Sequence, residues 1–123
     1  MTRGIGTDIV DVARMREKIE KEGGFRQFVF SPAEIDYCGR QAFPAEHYAA
    51  RFAAKEALLK ALGTGWANGI AFNEISIEHD DHGRPLFRFS GETASTLEST
   101  GCTAFHVSIS HERDKAVAFV IIE

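Results

Sequence analysis

Residues 105–111 read Phe-His-Val-Ser-Ile-Ser-His and residues 116–122 read Ala-Val-Ala-Phe-Val-Ile-Ile. In the first stretch Phe105, Val107 and Ile109 alternate with His106, Ser108 and Ser110, the period of a strand with one buried face. The second stretch is a continuous apolar run of strand length. The polar segment from His111 to Lys115 is turn-like, so the two pair as a hairpin. A second hairpin lies upstream: Ile75 and Ile77 alternate with polar residues, Asp80-Asp81-His82-Gly83 supplies the turn, and Leu86 to Ser90 returns. Consecutive hairpins argue for an α+β fold with a mostly antiparallel sheet.

Outward from the hairpins, the chain is mainly helical. Ile5 to Val12 reads as a strand opened by Gly4 and Gly6. Asp11 can cap a helix reaching about Glu22, stopped by Gly23 and Gly24. Phe25, Phe28, Val29 and Phe30 form an apolar cluster. Ser31-Pro32-Ala33-Glu34 is a capping box with Pro at the first helical position, and the helix it starts ends near Gly39. The longest helix runs from about Ala45 to Leu62, rich in Ala and Leu, with Tyr48, Phe52, Leu59 and Leu62 expected in the core. A modest helix follows from Gly91 to about Thr100. The expected architecture is a sheet packed on that long central helix, with residues 1–123 as one domain.

At 44% hydrophobic and 26% charged, the composition is that of a folded globule and not of a disordered segment. The net charge of −4 argues against a dedicated nucleic-acid binder. It hides an asymmetry: residues 1–60 carry ten of the fourteen Lys and Arg against half of the eighteen acids. Such a basic half suits an acidic partner, although solvated helix faces read the same way. Cys38 and Cys102 lack metal or redox spacing and fit a reducing compartment. No signal pattern or membrane-length apolar run is present, so the expectation is the cytoplasm, with no membrane partner.

Three groups could carry chemistry. Asp8 is a carboxylate inside a glycine-rich strand made mainly of Ile and Val; a divalent cation or a basic residue would neutralise it there, and an exposed strand end is the alternative. In the long helix Arg51 and Lys55 are four apart, as are Glu56 and Lys60, and the two faces adjoin. Cations beside one carboxylate suit a phosphate–metal arrangement; surface ion pairs have the same spacing. The glycines of Gly63-Thr64-Gly65 would let backbone amides approach an anion. Ser110 and His111 stand at a strand end where hydroxyl and imidazole groups can hold phosphate. The Ser-His pair lacks a nucleophile elbow. His79, Asp80 and His82 sit on a hairpin tip without further ligands at zinc spacing, which reads as a polar turn.

Taken together, Gly4-Ile5-Gly6-Thr7-Asp8-Ile9-Val10, Arg51-Phe52-Ala53-Ala54-Lys55-Glu56-Ala57 with Lys60 and Gly63-Thr64-Gly65, and Val107-Ser108-Ile109-Ser110-His111 closely resemble the holo-[acyl-carrier-protein] synthases, the small type of 4′-phosphopantetheinyl transferase. The resemblance runs from Gly4 to Glu123, and its second block is the most specific.

The resemblance implies transfer of the 4′-phosphopantetheine arm of coenzyme A to a serine of apo-acyl carrier protein, releasing adenosine 3′,5′-bisphosphate, in fatty acid biosynthesis. It implies Mg²⁺ held by Asp8 and Glu56, Glu56 as the base acting directly or through a water, and Lys60 at the leaving phosphate. It assigns Arg51, Lys55, Lys60, Gly63, Thr64, Gly65, Ser110 and His111 to coenzyme A, and Arg14, Lys18, Lys21, Phe25 and Arg26 to the acidic carrier. Two departures stand out: Val10 where larger relatives have a second carboxylate, and Gly24 where the family has an arginine. It also implies a homotrimer with active sites between subunits, for which the apolar edge of the last strand would serve as interface. A binding module of the same fold without transfer, or a transferase serving polyketide or peptide carriers, are the alternatives.

Overall fold

The computed structural model describes residues 1–65 and 69–123. The elements are β1 (Gly4–Asp11), α1 (Val12–Glu20), α2 (Phe25–Val29), α3 (Pro32–Gly39), α4 (Pro44–Leu62), a 3₁₀ turn (Phe72–Glu74), β2 (Ile75–His79), β3 (Pro85–Phe89), α5 (Gly91–Ser99), β4 (Phe105–His111) and β5 (Lys115–Ile122). Both expected hairpins form: β2 pairs with β3 and β4 pairs with β5, each antiparallel. The expected α+β architecture holds, with α4 at its centre against β1 and β5.

The three-stranded sheet has the order β1-β5-β4. This corrects one expectation. The last strand is the middle of its sheet, with both edges paired, so it offers no free apolar edge. Its apolar surplus lies on the face turned away from α4. There Ile5 and Ile9 of β1 are 70% and 66% exposed, and Phe119 and Ile121 of β5 are 58% and 44% exposed.

The opposite face of β1 explains its glycines. Gly4, Gly6, Asp8 and Val10 are less exposed than the residues that alternate with them. A Cβ on Gly6 would lie 1.9 Å from the Ala57 carbonyl oxygen, and one on Gly4 2.0 Å from that of Ala61. The two glycines therefore allow the helix backbone to rest directly on the strand. Asp8, next on the same face, is delivered to the last turns of α4.

Two local features lay outside the expectations. The apolar cluster after Gly24 includes a five-residue helix, α2, entered through Gly24 at φ +86°. The helix α1 ends at Glu20, two residues before the expected stop. The capping box at Ser31 is present as expected, with Ser31 Oγ accepting from the Glu34 amide and Glu34 Oε1 from the Ser31 amide. The same carboxylate also accepts from the Ile77 amide through Oε2 at 2.9 Å, tying α3 to β2.

Candidate active site

Helix α4 decides which of its charged residues can meet a substrate. It is buried nearly all round, with alanines on every side and Leu58 and Leu59 inside. The Arg51–Lys55 face points into the interior and the Glu56–Lys60 face outward, with Glu56 bordering one cavity and Lys60 another.

Lys55 is fully buried. Its ammonium donates to Glu34 Oε1 at 2.6 Å, to the Val29 carbonyl at 2.7 Å and to the Phe72 carbonyl at 2.9 Å. All three of its donors are engaged, so Lys55 holds α4 to α3 and is not placed to neutralise a phosphate. Burial lowers its pKa to about 8, against the opposing pull of Glu34. Arg51 is 2% exposed, stacked 4.5 Å from the Tyr37 ring, and its Nη1 donates to the His47 carbonyl at 3.4 Å. Its Nε has no partner among the described residues.

Asp8, Glu56 and Lys60 do come together. Lys60 Nζ donates to Asp8 Oδ1 and to the Thr7 carbonyl, both at 3.0 Å. Asp8 and Glu56 line one cleft of about 250 Å³ with Arg14, Lys18 and Phe52. Burial first, and the neighbouring Asp8 second, push the Glu56 carboxyl above its ordinary value. Among the described residues no group of three or more ligand side chains could hold a metal. Two hard carboxylate oxygen donors in one cleft fit an ion such as Mg²⁺ that completes its shell with water and phosphate.

The remaining expected residues divide. Ser110 and His111 line a separate cavity of about 200 Å³, and Ile9 borders both cavities. His111 Nδ1 lies 3.0 Å from Glu46 Oε1, and its ring is 4.9 Å from that of His47. Glu46 and His47 escaped the sequence reading because only the fold brings the start of α4 to the end of β4. Gly63 caps α4 at φ +77°, and its N–H already bonds to the Leu59 and Lys60 carbonyls. Its amide is therefore not available to an anion; Thr64 and Gly65 are exposed beside it.

Lys18, Lys21 and Phe25 line a groove of about 560 Å³ together with Phe28, which is 71% exposed. Lys18 borders both this groove and the carboxylate cleft, with its ammonium 5.6 Å from the Phe25 ring and 5.8 Å from the Phe52 ring. Arg26 is not in the groove. It turns back to the Ile19 carbonyl at 3.2 Å and lines a different pocket beside Arg16 and Tyr48. Arg26, expected to contact the carrier, thus lies outside this groove, and Phe28 of the same segment is exposed in it.

Residues 4–120 match the model of the 4′-phosphopantetheinyl transferase superfamily. The chain belongs to that superfamily. The holo-[acyl-carrier-protein] synthase of Syntrophus aciditrophicus is 48% identical to this phosphopantetheinyl transferase family member, covering all of this chain and 97% of its own. That of Cytophaga hutchinsonii is 49% identical, covering 98% of this chain and 97% of its own. Among solved structures, the synthase of Neisseria meningitidis superposes with a TM-score of 0.91 at 37% identity, covering 100% of this chain and 99% of that one. A coenzyme A complex of the Chronobacterium ammoniagenes enzyme gives 0.86 at 32% identity over 98% and 96%. The superfamily membership agrees with the resemblance carried by the three sequence blocks.

Proposed function

We propose that this chain transfers the 4′-phosphopantetheine arm of coenzyme A to a serine of an apo-acyl carrier protein and releases adenosine 3′,5′-bisphosphate. The observation that carries the reading is that Asp8, bonded to Lys60, lines with Glu56 one cleft that continues, past Lys18, into a basic and aromatic groove. One substrate needs its pyrophosphate neutralised and the other is an acidic protein, and the two surfaces adjoin. The synthases cited above, including one in complex with coenzyme A, support the same assignment.

In this reading the serine oxygen forms a bond to the phosphorus bearing pantetheine, and the bridging bond of the pyrophosphate breaks. Such transfer needs alignment and charge neutralisation more than covalent help. Glu56 takes the serine proton, and its raised pKa suits a base. Lys60 sits on a flexible stem, 57% exposed at its side chain, and reaches the leaving phosphate. Asp8 and Glu56 would hold Mg²⁺, which supplies neutralisation of the pyrophosphate oxygens. Arg14, Lys18, Lys21 and Phe25 receive the carrier, with Phe28 added. Thr64, Gly65, Ser110 and His111 hold the nucleotide end, and Arg51 lies behind His47 as a buried positive charge.

Within one chain the carboxylate cleft and the Ser110–His111 cavity are separate. A homotrimer in which the exposed Ile5, Ile9, Phe119 and Ile121 face is covered would bring one copy's cleft to another copy's cavity. The whole chain acts as one domain. Among the described residues no helix is long and apolar enough to cross a membrane, and the cytoplasm is the proposed location.

The test is intact-mass analysis of apo-acyl carrier protein incubated with the chain, coenzyme A and Mg²⁺. A gain of about 340 Da, the mass of the arm, is expected. No gain on any apo carrier would overturn the assignment.

A further inference from the structure

Lys60 does more in this structure than face a future phosphate. Its ammonium holds Asp8 Oδ1 and the Thr7 carbonyl oxygen at the same 3.0 Å. Thr7 lies on β1, which among the described residues is an edge strand paired with β5 alone. One cation thus satisfies an edge carbonyl and a carboxylate that is only 18% exposed. Glu56, across the cleft, makes no hydrogen bond or ion pair among the described residues. The cleft therefore contains one carboxylate bonded directly to an ammonium and one that Lys60 and Lys18 reach only through space.

We propose that Lys60 sets the order of binding: as the resident counter-ion of Asp8 it weakens the carboxylate pair for a divalent ion until the pyrophosphate of coenzyme A draws the lysine away. This rests on Asp8 and Glu56 being the ion's protein ligands. The physical reason is like-charge repulsion. A divalent ion at Asp8 would share that carboxylate with an ammonium 3.0 Å from one of its oxygens. A dianionic pyrophosphate offers Lys60 an alternative partner and offers the ion further oxygen ligands, so each favours the other. Binding of ion and coenzyme A is then coupled, and the coupling is reciprocal. Lys60 exchanges one anionic partner for another on a stem that is already solvated, so no movement of α4 is required.

The experiment titrates Mn²⁺ into the full chain and reads the free-ion signal by electron paramagnetic resonance, with and without coenzyme A. Lys60→Met keeps the stem and removes the charge; Lys60→Gln guards against a packing effect, and circular dichroism checks both folds. Expected is Mn²⁺ binding about fivefold or more tighter in both variants than in the parent without coenzyme A. The tightening that coenzyme A gives the parent shrinks in the variants. Unchanged or weaker Mn²⁺ binding in the variants would overturn the counter-ion role. Adding Asp8→Asn to Lys60→Met separates the two failures. If that change leaves Mn²⁺ affinity unaltered, the ion does not bind at Asp8, and the ligand assignment falls together with this inference.

Discussion

Replacing Glu56 by Gln keeps the shape of the side chain and removes its negative charge. Because Glu56 borders the cleft and its side chain makes no hydrogen bond or ion pair among the described residues, the fold should not notice. Transfer should fall by about 10²–10⁴, the usual worth of a positioned base, with the melting temperature unchanged. Mass-shift kinetics and calorimetry would check the two halves. Its neighbour Lys55 should behave in the opposite way. Lys55→Met strands the Glu34 carboxylate in the interior, a loss of about 3–5 kcal/mol for a broken buried pair, read by urea denaturation. Cys38 is also interior, and burial raises its thiol to about 12. The sequence marked Asp8 as a carboxylate in a mainly apolar strand, which asks for a cation, and Glu56 as the one carboxylate grouped with Arg51, Lys55 and Lys60. It could not show which way Lys55 faced. A helix buried all round has no apolar stripe, and without a stripe the 3.6-residue period does not say which polar face is inward.

At the level of elements, the contact of β1 with α4 sets the cleft. Gly6→Ala would put a methyl group 1.9 Å from the Ala57 carbonyl and 2.8 Å from the Ala61 amide, so the helix must back away from the strand. Both melting temperature and transfer rate should drop, because the same displacement moves Glu56 away from Asp8. A second element-scale effect depends on pH. Burial first, then His111 and Arg51, holds His47 below the ordinary imidazole value of 6.5, and burial with Arg51 does the same for His79. An imidazole with a lowered pKa binds fewer protons folded than unfolded. Its contribution to stability is whole above pH 6.5 and is lost as the pH falls below it. Melting temperature should therefore fall on acidification, and less steeply in a His47→Gln/His79→Gln variant. The strands and long helices were legible because period and caps are local signals. The helix α2 was not, since five residues are too few to display a period.

Across the whole molecule, the asymmetry of charge in the sequence becomes a surface. Arg14 borders the carboxylate cleft, and Lys18 and Lys21 line the groove beside it. Arg14→Glu should weaken carrier binding at low salt, leave coenzyme A binding intact, and lose its effect as salt screens the charges. Surface plasmon resonance at two ionic strengths would show it. Phe119→Glu, on the outer face of the sheet, should shift the chain toward monomer in analytical ultracentrifugation and reduce transfer with it. The β4–β5 hairpin could be read from adjacent segments. The pairing of β1 with β5 could not, because it joins the two ends of the chain and no local pattern announces it.

That pairing has a consequence for quality control during assembly. The strand β1 alternates strictly: Gly4, Gly6 and Asp8 toward the helix, Ile5, Thr7 and Ile9 away from it. A slip of one residue against β5 would reverse every side chain at once. The isoleucines would collide with the helix backbone where only glycine fits, and the carboxylate would land on the apolar outer surface. Under the proposed function, a misregistered copy would lose both the cleft carboxylate and the apolar face proposed to join other copies in a single error. In the proposed assembly, defective chains would exclude themselves, and only those copies whose carboxylate is already in place would join through this face.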